Sequence, residues 1–308
     1  MKHLLDRCML PLILILSVAL LSVCIYGMQT AFKTMAVDAE PESAASEEEK
    51  AEQQNKIELP IVMYHHILKE QSRLNKYTIS PDEFRQDLNY MKDNGYTPIS
   101  MADLIAYINE GKPLPERPIM ITFDDGYESF HEYAYPILKE YGYKVILSVI
   151  GKYADEYSET DDHHIRYSHS SWEQLKDMQS SGLIEIGNHT YNMHMYNDGR
   201  HGCKKKKSES VAAYHKALSK DVGQMQEKCN EHLGIYPKIF TYPFGQICED
   251  ALPIIKEMGF EAVLTCQEKI NYITDKNQLE HLNRFNRPHG TSLQMILNKA
   301  KSGQKKTK

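Results

Sequence analysis

Two aspartates and two histidines follow directly after strand-like segments of this chain. Asp124 and Asp125 come after the uncharged residues 119–123, and His189 comes after "LIEIGN". Adjacent carboxylates repel and raise each other's pKa, so a fold tolerates such a pair beside a positive charge or where one carboxylate serves as a base. His194 follows His189 by five positions, which on a helix would place the rings on different faces. The histidine pair therefore indicates a strand end followed by a loop that folds back.

A divalent cation would explain this set of residues. One carboxylate and two imidazoles leave open positions on such a cation, as catalytic zinc sites require. The cation lowers the pKa of bound water and polarises a carbonyl, while the other carboxylate can accept a proton. The residues therefore predict a metal-dependent hydrolytic site in which the two aspartates have different roles.

The segments that position these residues alternate between strand and helix from Leu59 onward. Apolar strands such as "PIVMYHHI", "RPIMITF" and "YKVILSVIG" are separated by helices with start and stop signals, including Pro81 at the first position of one helix and Gly111 at the end of another. This alternation predicts a parallel sheet covered by helices, and about 250 residues is the usual size of a (β/α) barrel. We further expect a helix kinked near its middle at Pro136 and a polar insertion at residues 152–170.

Three motifs carry a resemblance to a known family. "TFDDG" at residues 122–126, "HTYNMH" at residues 189–194 and then "YPFG" resemble, in this order, the polysaccharide deacetylases, the NodB-homology group of carbohydrate esterase family 4. The resemblance covers residues 59–290 and implies a distorted (β/α) barrel that removes N- or O-acetyl groups from sugars. It also implies a divalent metal, Zn²⁺ first and Co²⁺ or Ni²⁺ as alternatives. By the same resemblance Asp124 is the general base, and Asp125, His189 and His194 are the metal ligands.

Departures from the commonest family pattern bear on the remaining roles. The two histidines are five apart rather than four, as in the branch that acts on poly-N-acetylglucosamine. That branch is similar to this chain in carrying "YHH" or a related motif on an early strand, and the family's late Leu-x-His acid has no clear match here. The resemblance therefore places the general acid on His65, with His66 as its competitor. Thr241 stands where the family has a base-tuning arginine, and Arg284 and Arg287 are candidates to pair with carboxylates near the site.

The expected substrate-binding residues are Tyr242, Pro243, Phe244 and Arg287. Tyr242 and Phe244 would give a sugar an apolar wall, and the backbone N–H of Phe244 would help to hold an oxyanion. The expected partner is an acetylated amino-sugar polymer, namely poly-N-acetylglucosamine, peptidoglycan or a chitin-like chain. An O-acetyl esterase and an inactive sugar-binding barrel are the alternatives, and the complete Asp-Asp-His-His set argues against the second.

The N-terminal residues differ from the rest of the chain. Residues 8–28 carry no charge and are preceded by Lys2 and Arg7, so residues 1–28 predict an uncleaved membrane anchor with the catalytic domain outside the cell. Cleavage as a signal peptide, followed by secretion, is the alternative. Residues 29–58 are rich in acids and predict a disordered linker. The deacetylase domain is then expected at residues 59–301, and a basic tail at residues 302–308.

Composition excludes one class of partner. The formal net charge of −6 gives no electrostatic case for binding nucleic acid. We also expect the protein to be a monomer. Four cysteines fall in the expected domain: Cys203, Cys229, Cys248 and Cys266. An oxidising compartment would permit disulfides between them, but the spacing does not fix the pairs.

Overall fold

A computed structural model describes residues 56–197 and 199–304 of the chain. The expected membrane anchor, nearly all of the acidic linker and the last residues of the basic tail lie outside these residues. Within the described residues, no helix combines the length and the apolar character needed to cross a bilayer. A separate unit of the chain begins at Ile57, where the first strand starts.

The described residues form short strands and helices that alternate along the chain. The strands are β1 (Ile57–Leu59), β2 (Ile61–Tyr64), β3 (His66–Ile67), β4 (Thr78–Ile79), β5 (Thr97–Pro98), β6 (Pro118–Asp125), β7 (Val145–Val149), β8 (Ile184–Asn188), β9 (Tyr196–Asn197), β10 (Arg200–His201), β11 (Ile239–Thr241), β12 (Ala262–Leu264), β13 (Asn271–Ile273) and β14 (Phe285–Asn286). The α-helices are α1 (Pro81–Asp93), α2 (Met101–Glu110), α3 (Tyr135–Tyr141), α4 (Gly151–Thr160), α5 (Trp172–Ser180), α6 (Val211–Leu233), α7 (Ala251–Glu257) and α8 (Leu293–Gln304).

One curved parallel sheet carries the architecture. Its strands follow the order β12-β11-β8-β7-β6-β2-β14, with β5 also paired to β6, and every pairing in it is parallel. Residues 282–286 reach both edges, since Leu282 bridges Leu264 of β12 while β14 pairs with β2. The carboxyl ends of the strands therefore meet at one rim, as the expected α/β barrel requires.

Local sequence explains the elements that were predicted. Every residue of β6 is buried, which fits a central strand covered on both faces. Ser80 and Glu83 form a capping box before α1, with Pro81 at its first position. Gly111 ends α2 in the left-handed conformation at φ 68°.

Two expectations for the middle of the chain concern residues 152–170 and Pro136. The expected polar insertion at residues 152–170 contains α4 in its first part. Ala154 of α4 is buried in the core, and the Trp172 indole donates a hydrogen bond to Asp155 at 2.8 Å, so tertiary contacts hold this polar helix. Pro136 lies inside a helical stretch that is continuous over residues 128–141, directly after the π-helical turn Phe130–Ala134, as the expected helix with an internal proline requires. A proline within a helix removes a backbone donor, and irregularities of a helix occur at such prolines and at π-helical turns.

A buried hydrogen-bond network joins α1 to the sheet. Both the Tyr64 hydroxyl and Nε of Arg287 donate to Oδ2 of Asp87, at 3.0 and 2.7 Å. The backbone N–H of Leu293, at the start of α8, donates to Oδ1 at 3.1 Å. Burial raises the pKa of Asp87, and the charge of Arg287 opposes this shift. The network therefore ties β2, α1 and α8 together through one carboxylate.

We expect Asp87→Ala to lower the free energy of unfolding by about 3–5 kcal/mol, because it removes the buried counter-charge of the Arg287 guanidinium and leaves it only Glu83 at 3.5 Å. Urea denaturation checks this. Asp93→Ala on the exposed part of the same helix is the matched control and should change stability by about 0.5 kcal/mol or less. Equal effects of the two substitutions would contradict the structural importance of the network.

Candidate active site

A cavity of about 590 Å³ opens at the carboxyl ends of the parallel strands. His65 follows β2, Asp124 and Asp125 end β6, and His189 and His194 follow β8. All five line the cavity, although they come from distant parts of the sequence. The structure therefore brings together the residues predicted as base, acid and metal ligands.

Asp125, His189 and His194 form a group that could hold a metal ion, since one ligand atom from each lies within 4.8 Å of the others. Oδ1 of Asp125 lies 3.6 Å from Nε2 of His189 and 3.5 Å from Nε2 of His194. This oxygen is buried and has no hydrogen-bond partner among the described residues. Two imidazole nitrogens and one carboxylate oxygen that converge in this way fit a divalent cation of the zinc type.

The backbone of Asp125 explains how two consecutive carboxylates line one cavity. Neighbouring residues of a regular strand point to opposite faces of the sheet. Asp125 has a left-handed backbone conformation, with φ at 74°, which breaks this alternation. Such a conformation is strained in a residue other than glycine, at about 1–3 kcal/mol, and it is found where a site requires it.

Different surroundings prepare the two histidines as ligands. Nδ1 of His189 donates to the Thr241 carbonyl at 2.8 Å, which leaves the lone pair of Nε2 directed to the Asp125 side. Thr241, the residue at the family's arginine position, thus supports the site through its backbone. Burial and the neighbouring His189 lower the pKa of His194 to about 4, so its ring is neutral and able to coordinate at neutral pH.

Arg284 is the partner of Asp124. Its Nη1 and Nη2 donate to the two carboxylate oxygens at 2.7 Å each, and its Nε donates to the Thr265 carbonyl at 2.8 Å. Both charged groups are buried. Burial alone would raise the pKa of Asp124, but the charge and hydrogen bonds of Arg284 outweigh it and hold that pKa below its usual value. Arg284 therefore keeps Asp124 ionised and fixed in orientation.

Arg287, the arginine expected at the substrate, does not line the cavity. It lies three positions after Arg284, so the two side chains leave this extended segment on opposite sides. Arg287 binds Asp87 and Glu83 instead. The sequence alone does not tell which of the two arginines faces the site. The alternation of side chains along β14 decides it, and a strand of two residues leaves no recognisable pattern in the sequence.

The two neighbouring histidines after β2 have different surroundings. His66 uses both ring nitrogens, with Nδ1 2.5 Å from Oγ of Ser129 and Nε2 3.2 Å from the Arg166 carbonyl. Nδ1 of His65 has no hydrogen-bond partner among the described residues. Burial lowers the pKa of His65, against the attraction of Asp125 and Asp124. His65 is therefore the histidine whose ring is not already committed to the structure.

Three residues of the "YPFG" turn were expected at the substrate, and of these the structure brings Phe244 to the cavity. Its ring is 38% exposed and lies 4.2 Å, centroid to centroid, from that of His194. Tyr242 is 0% exposed, with its hydroxyl donating to the Cys248 carbonyl at 3.4 Å, and Pro243 is also buried. Tyr242 therefore packs in the core and cannot present its ring to a sugar in this conformation.

Two exposed tyrosines at the rim were not predicted. Tyr196 and His201 pair across the hairpin of β9 and β10, their rings stacked at 3.9 Å, and both lie near Phe244 at 5.1 Å. Tyr77 contacts His65 edge-to-face at 5.0 Å. The hairpin was expected to be a plain loop, since two-residue strands leave no periodic pattern.

The four described cysteines are free thiols.

Comparisons with known proteins agree with this geometry. A family model described as polysaccharide deacetylase matches residues 111–263. The poly-beta-1,6-N-acetyl-D-glucosamine N-deacetylase of Escherichia coli (strain K12) is 24% identical over 241 residues, which cover 72% of this chain and 35% of that relative. The enzyme of the same name from Staphylococcus aureus (strain MRSA252) is 28% identical over 196 residues, covering 64% of this chain and 63% of that one. The chain thus spans about a third of the first relative and less than two thirds of the second.

A solved structure is similar over nearly its whole length. The de-N-acetylase from Aggregatibacter actinomycetemcomitans matches with a TM-score of 0.68 and 26% identity, covering 79% of this chain and 99% of that one. The strands and helices that carry the candidate site therefore belong to a fold that this chain shares with that de-N-acetylase.

We expect Asp125→Ala, His189→Ala and His194→Ala each to abolish stoichiometric binding of Zn²⁺, because each removes one of the three converging ligand atoms. Elemental analysis after dialysis against buffered zinc measures the metal content. His201→Ala, which alters the same cavity outside the cluster, is the matched control and should keep its zinc. Full zinc content in all three variants would overturn the ligand assignment.

Proposed function

The chain belongs to the polysaccharide deacetylase family, and from that premise we propose that it is a metal-dependent N-deacetylase of an amino-sugar polymer. The observation that carries the proposal is the arrangement of Asp124, Asp125, His65, His189 and His194 around one cavity. A base, an acid and three ligand atoms are the groups that hydrolysis of an acetamide requires.

Asp125, His189 and His194 would hold the cation. Zn²⁺ suits two imidazoles and one carboxylate, and Co²⁺ and Ni²⁺ accept the same donors. When bound there, the cation supplies Lewis-acid chemistry, which makes water more acidic and polarises a carbonyl oxygen. Support for this position comes from the buried Oδ1 of Asp125, which faces two nitrogen atoms at 3.5–3.6 Å.

Asp124 accepts the proton of the attacking water. Arg284 keeps this carboxylate ionised, which a base requires, but the same ion pair makes it a weak base. A weak base is sufficient only toward an acidified water, so the role of Asp124 depends on the neighbouring ligand cluster. The adjacent positions of Asp124 and Asp125 in the chain keep the base beside that cluster.

His65 donates a proton to the departing nitrogen. The C–N bond of the acetamide breaks, acetate carries the oxygen of the attacking water, and the sugar keeps a protonated amine at neutral pH. An amine anion is a very poor leaving group, so this proton transfer is needed. The lowered pKa makes the imidazolium of His65 a strong proton donor, although less populated at neutral pH.

The proposed substrate is a polymer of N-acetylglucosamine. Support comes from the relatives, whose names specify poly-beta-1,6-N-acetyl-D-glucosamine, and from the five-residue histidine spacing. We also propose that the protein acts as a monomer outside the cell, anchored through residues 8–28. The uncharged stretch after Lys2 and Arg7 supports this location.

Acetate release from N-acetylglucosamine polymers, with and without a chelator, tests the function. Asp124→Asn should keep its zinc and lose about 10²–10⁴-fold in kcat, because the amide cannot accept the proton. The Asp125→Ala variant is the comparison, since it should lose both zinc and turnover. Turnover of Asp124→Asn within a few-fold of the parent would move the base to another residue.

His65→Ala should lower kcat on an acetamide by about 10²–10⁴-fold with zinc content unchanged. The loss on an acetate ester should be smaller, because an alkoxide leaves more readily than an amine anion. His66→Ala is the neighbouring control and should affect amide and ester equally, through loss of its contacts to Ser129 and Arg166. Equal losses of His65→Ala on both substrates would refute the acid assignment.

A further inference from the structure

The rim of the cavity carries two tyrosines whose rings are largely exposed. Tyr196 is 72% exposed and Tyr77 is 48% exposed, and both line the cavity. An exposed aromatic ring beside an active site offers a flat, amphipathic surface with little rotamer freedom to lose on binding. The rim therefore has two surfaces suited to the apolar face of a sugar ring.

The two tyrosines lie on different sides of the catalytic residues. Tyr77 contacts His65, which follows β2. Tyr196 contacts Phe244, which follows β11 and in turn contacts His194. In the sheet, β6 with its two aspartates lies between β2 and the strands β8 and β11. A sugar chain that crosses the cavity and presents one acetamide to the aspartates would meet one tyrosine on each side.

The backbone holds Tyr77 firmly at its position. Its N–H donates to Oδ1 of Asn75 at 2.8 Å, and its carbonyl accepts from the N–H of His66 at 3.1 Å. The side-chain amide of Asn286 donates to the carbonyl of Lys76 at 2.9 Å. The backbone is therefore fixed where the ring of Tyr77 contacts that of His65, and little backbone order has to be gained when a ligand binds.

Tyr196 is supported on the other side by a strand pairing and a ring contact. It stands directly opposite His201 in the β9–β10 pair, and that ring covers part of it at 3.9 Å. Gly202, next to His201, packs closely on the turn that contains Phe244. A Cβ added to Gly202 would lie 3.2 Å from Pro243 and 3.3 Å from Phe244. The hairpin is therefore seated against the Phe244 turn, and Tyr196 is presented from a supported element.

We propose that Tyr77 and Tyr196 are stacking platforms for the sugar units on either side of the unit being deacetylated, so that the enzyme acts on internal units of an oligomer. This inference rests on the proposed function and specifies its substrate as a chain of at least three units. Preorganised aromatic contacts of this kind contribute about three- to tenfold each in affinity.

Oligomers of N-acetylglucosamine from one to five units, in β-1,6 and β-1,4 linkage, provide the test. For the parent enzyme, kcat/KM should rise with length, and mass spectrometry of the products should place the free amine on internal units. Tyr77→Ala and Tyr196→Ala should each reduce the pentamer-to-monomer ratio of kcat/KM by about three- to tenfold. Tyr77→Phe and Tyr196→Phe keep the ring and should keep most of the ratio.

Tyr236→Ala is the matched control, since Tyr236 is 50% exposed but lies at a different surface pocket. Its ratio should equal that of the parent. The ratio also cancels any general loss that Tyr77→Ala causes through its contact with His65. Three results would overturn the assignment of Tyr77 and Tyr196 as stacking platforms. These are a kcat/KM of the parent that does not depend on oligomer length, reaction at terminal units alone, and equal losses of kcat/KM on monomer and pentamer in the alanine variants.

Calorimetric binding of the same oligomers to Asp124→Asn separates this inference from the proposed function. Acetate release without length dependence would leave the function standing and reject the platforms. Length-dependent binding that is lost in the tyrosine-to-alanine variants, together with no acetate release by the parent, would support the platforms and reject the function.

Discussion

The site depends on keeping two consecutive carboxylates in different environments. Asp124 is enclosed by a bidentate arginine, and Asp125 faces two imidazoles, so each negative charge has its own positive or metal-binding surroundings. Without such a division, the charges of the pair would repel in a buried place. The left-handed backbone of Asp125 makes the division possible, since it lets both side chains leave the strand toward the cavity.

The same constraint explains why the sheet is completed as it is. Residues 282–286 connect the two edges of the sheet, and Arg284 stands in the middle of this segment. Its Nε is held by the carbonyl of Thr265, just after β12, and its fork reaches across to Asp124 at the end of β6. Closure of the sheet and placement of the proposed base are therefore served by one segment. Asp87 and Arg287 anchor the chain directly after it, at the opposite face.

Much of the site could be predicted because its residues follow strands with strong apolar patterns. β6 and β8 each end in polar residues, so Asp124, Asp125 and His189 were identifiable from sequence alone. Arg284 could not be assigned, because its segment has two-residue pairing and no periodicity, and its partner lies 160 positions earlier. Helix α4 and the β9–β10 hairpin were missed for related reasons, since tertiary contacts rather than local patterns hold them. The burial of Tyr242 shows the reverse case, in which an aromatic residue next to a motif serves the core.

The long separation of Arg284 from Asp124 also sets an order of events during synthesis. The proposed cation ligands Asp125, His189 and His194 are all present once residue 194 has been made, whereas Arg284 follows 90 residues later. Chains are made from the N-terminus, and contacts of large sequence separation form late because their loops are long. A nascent chain can therefore gather its proposed cation ligands before Arg284 is available to orient Asp124. Competence for catalysis then waits for the last strand to join the sheet.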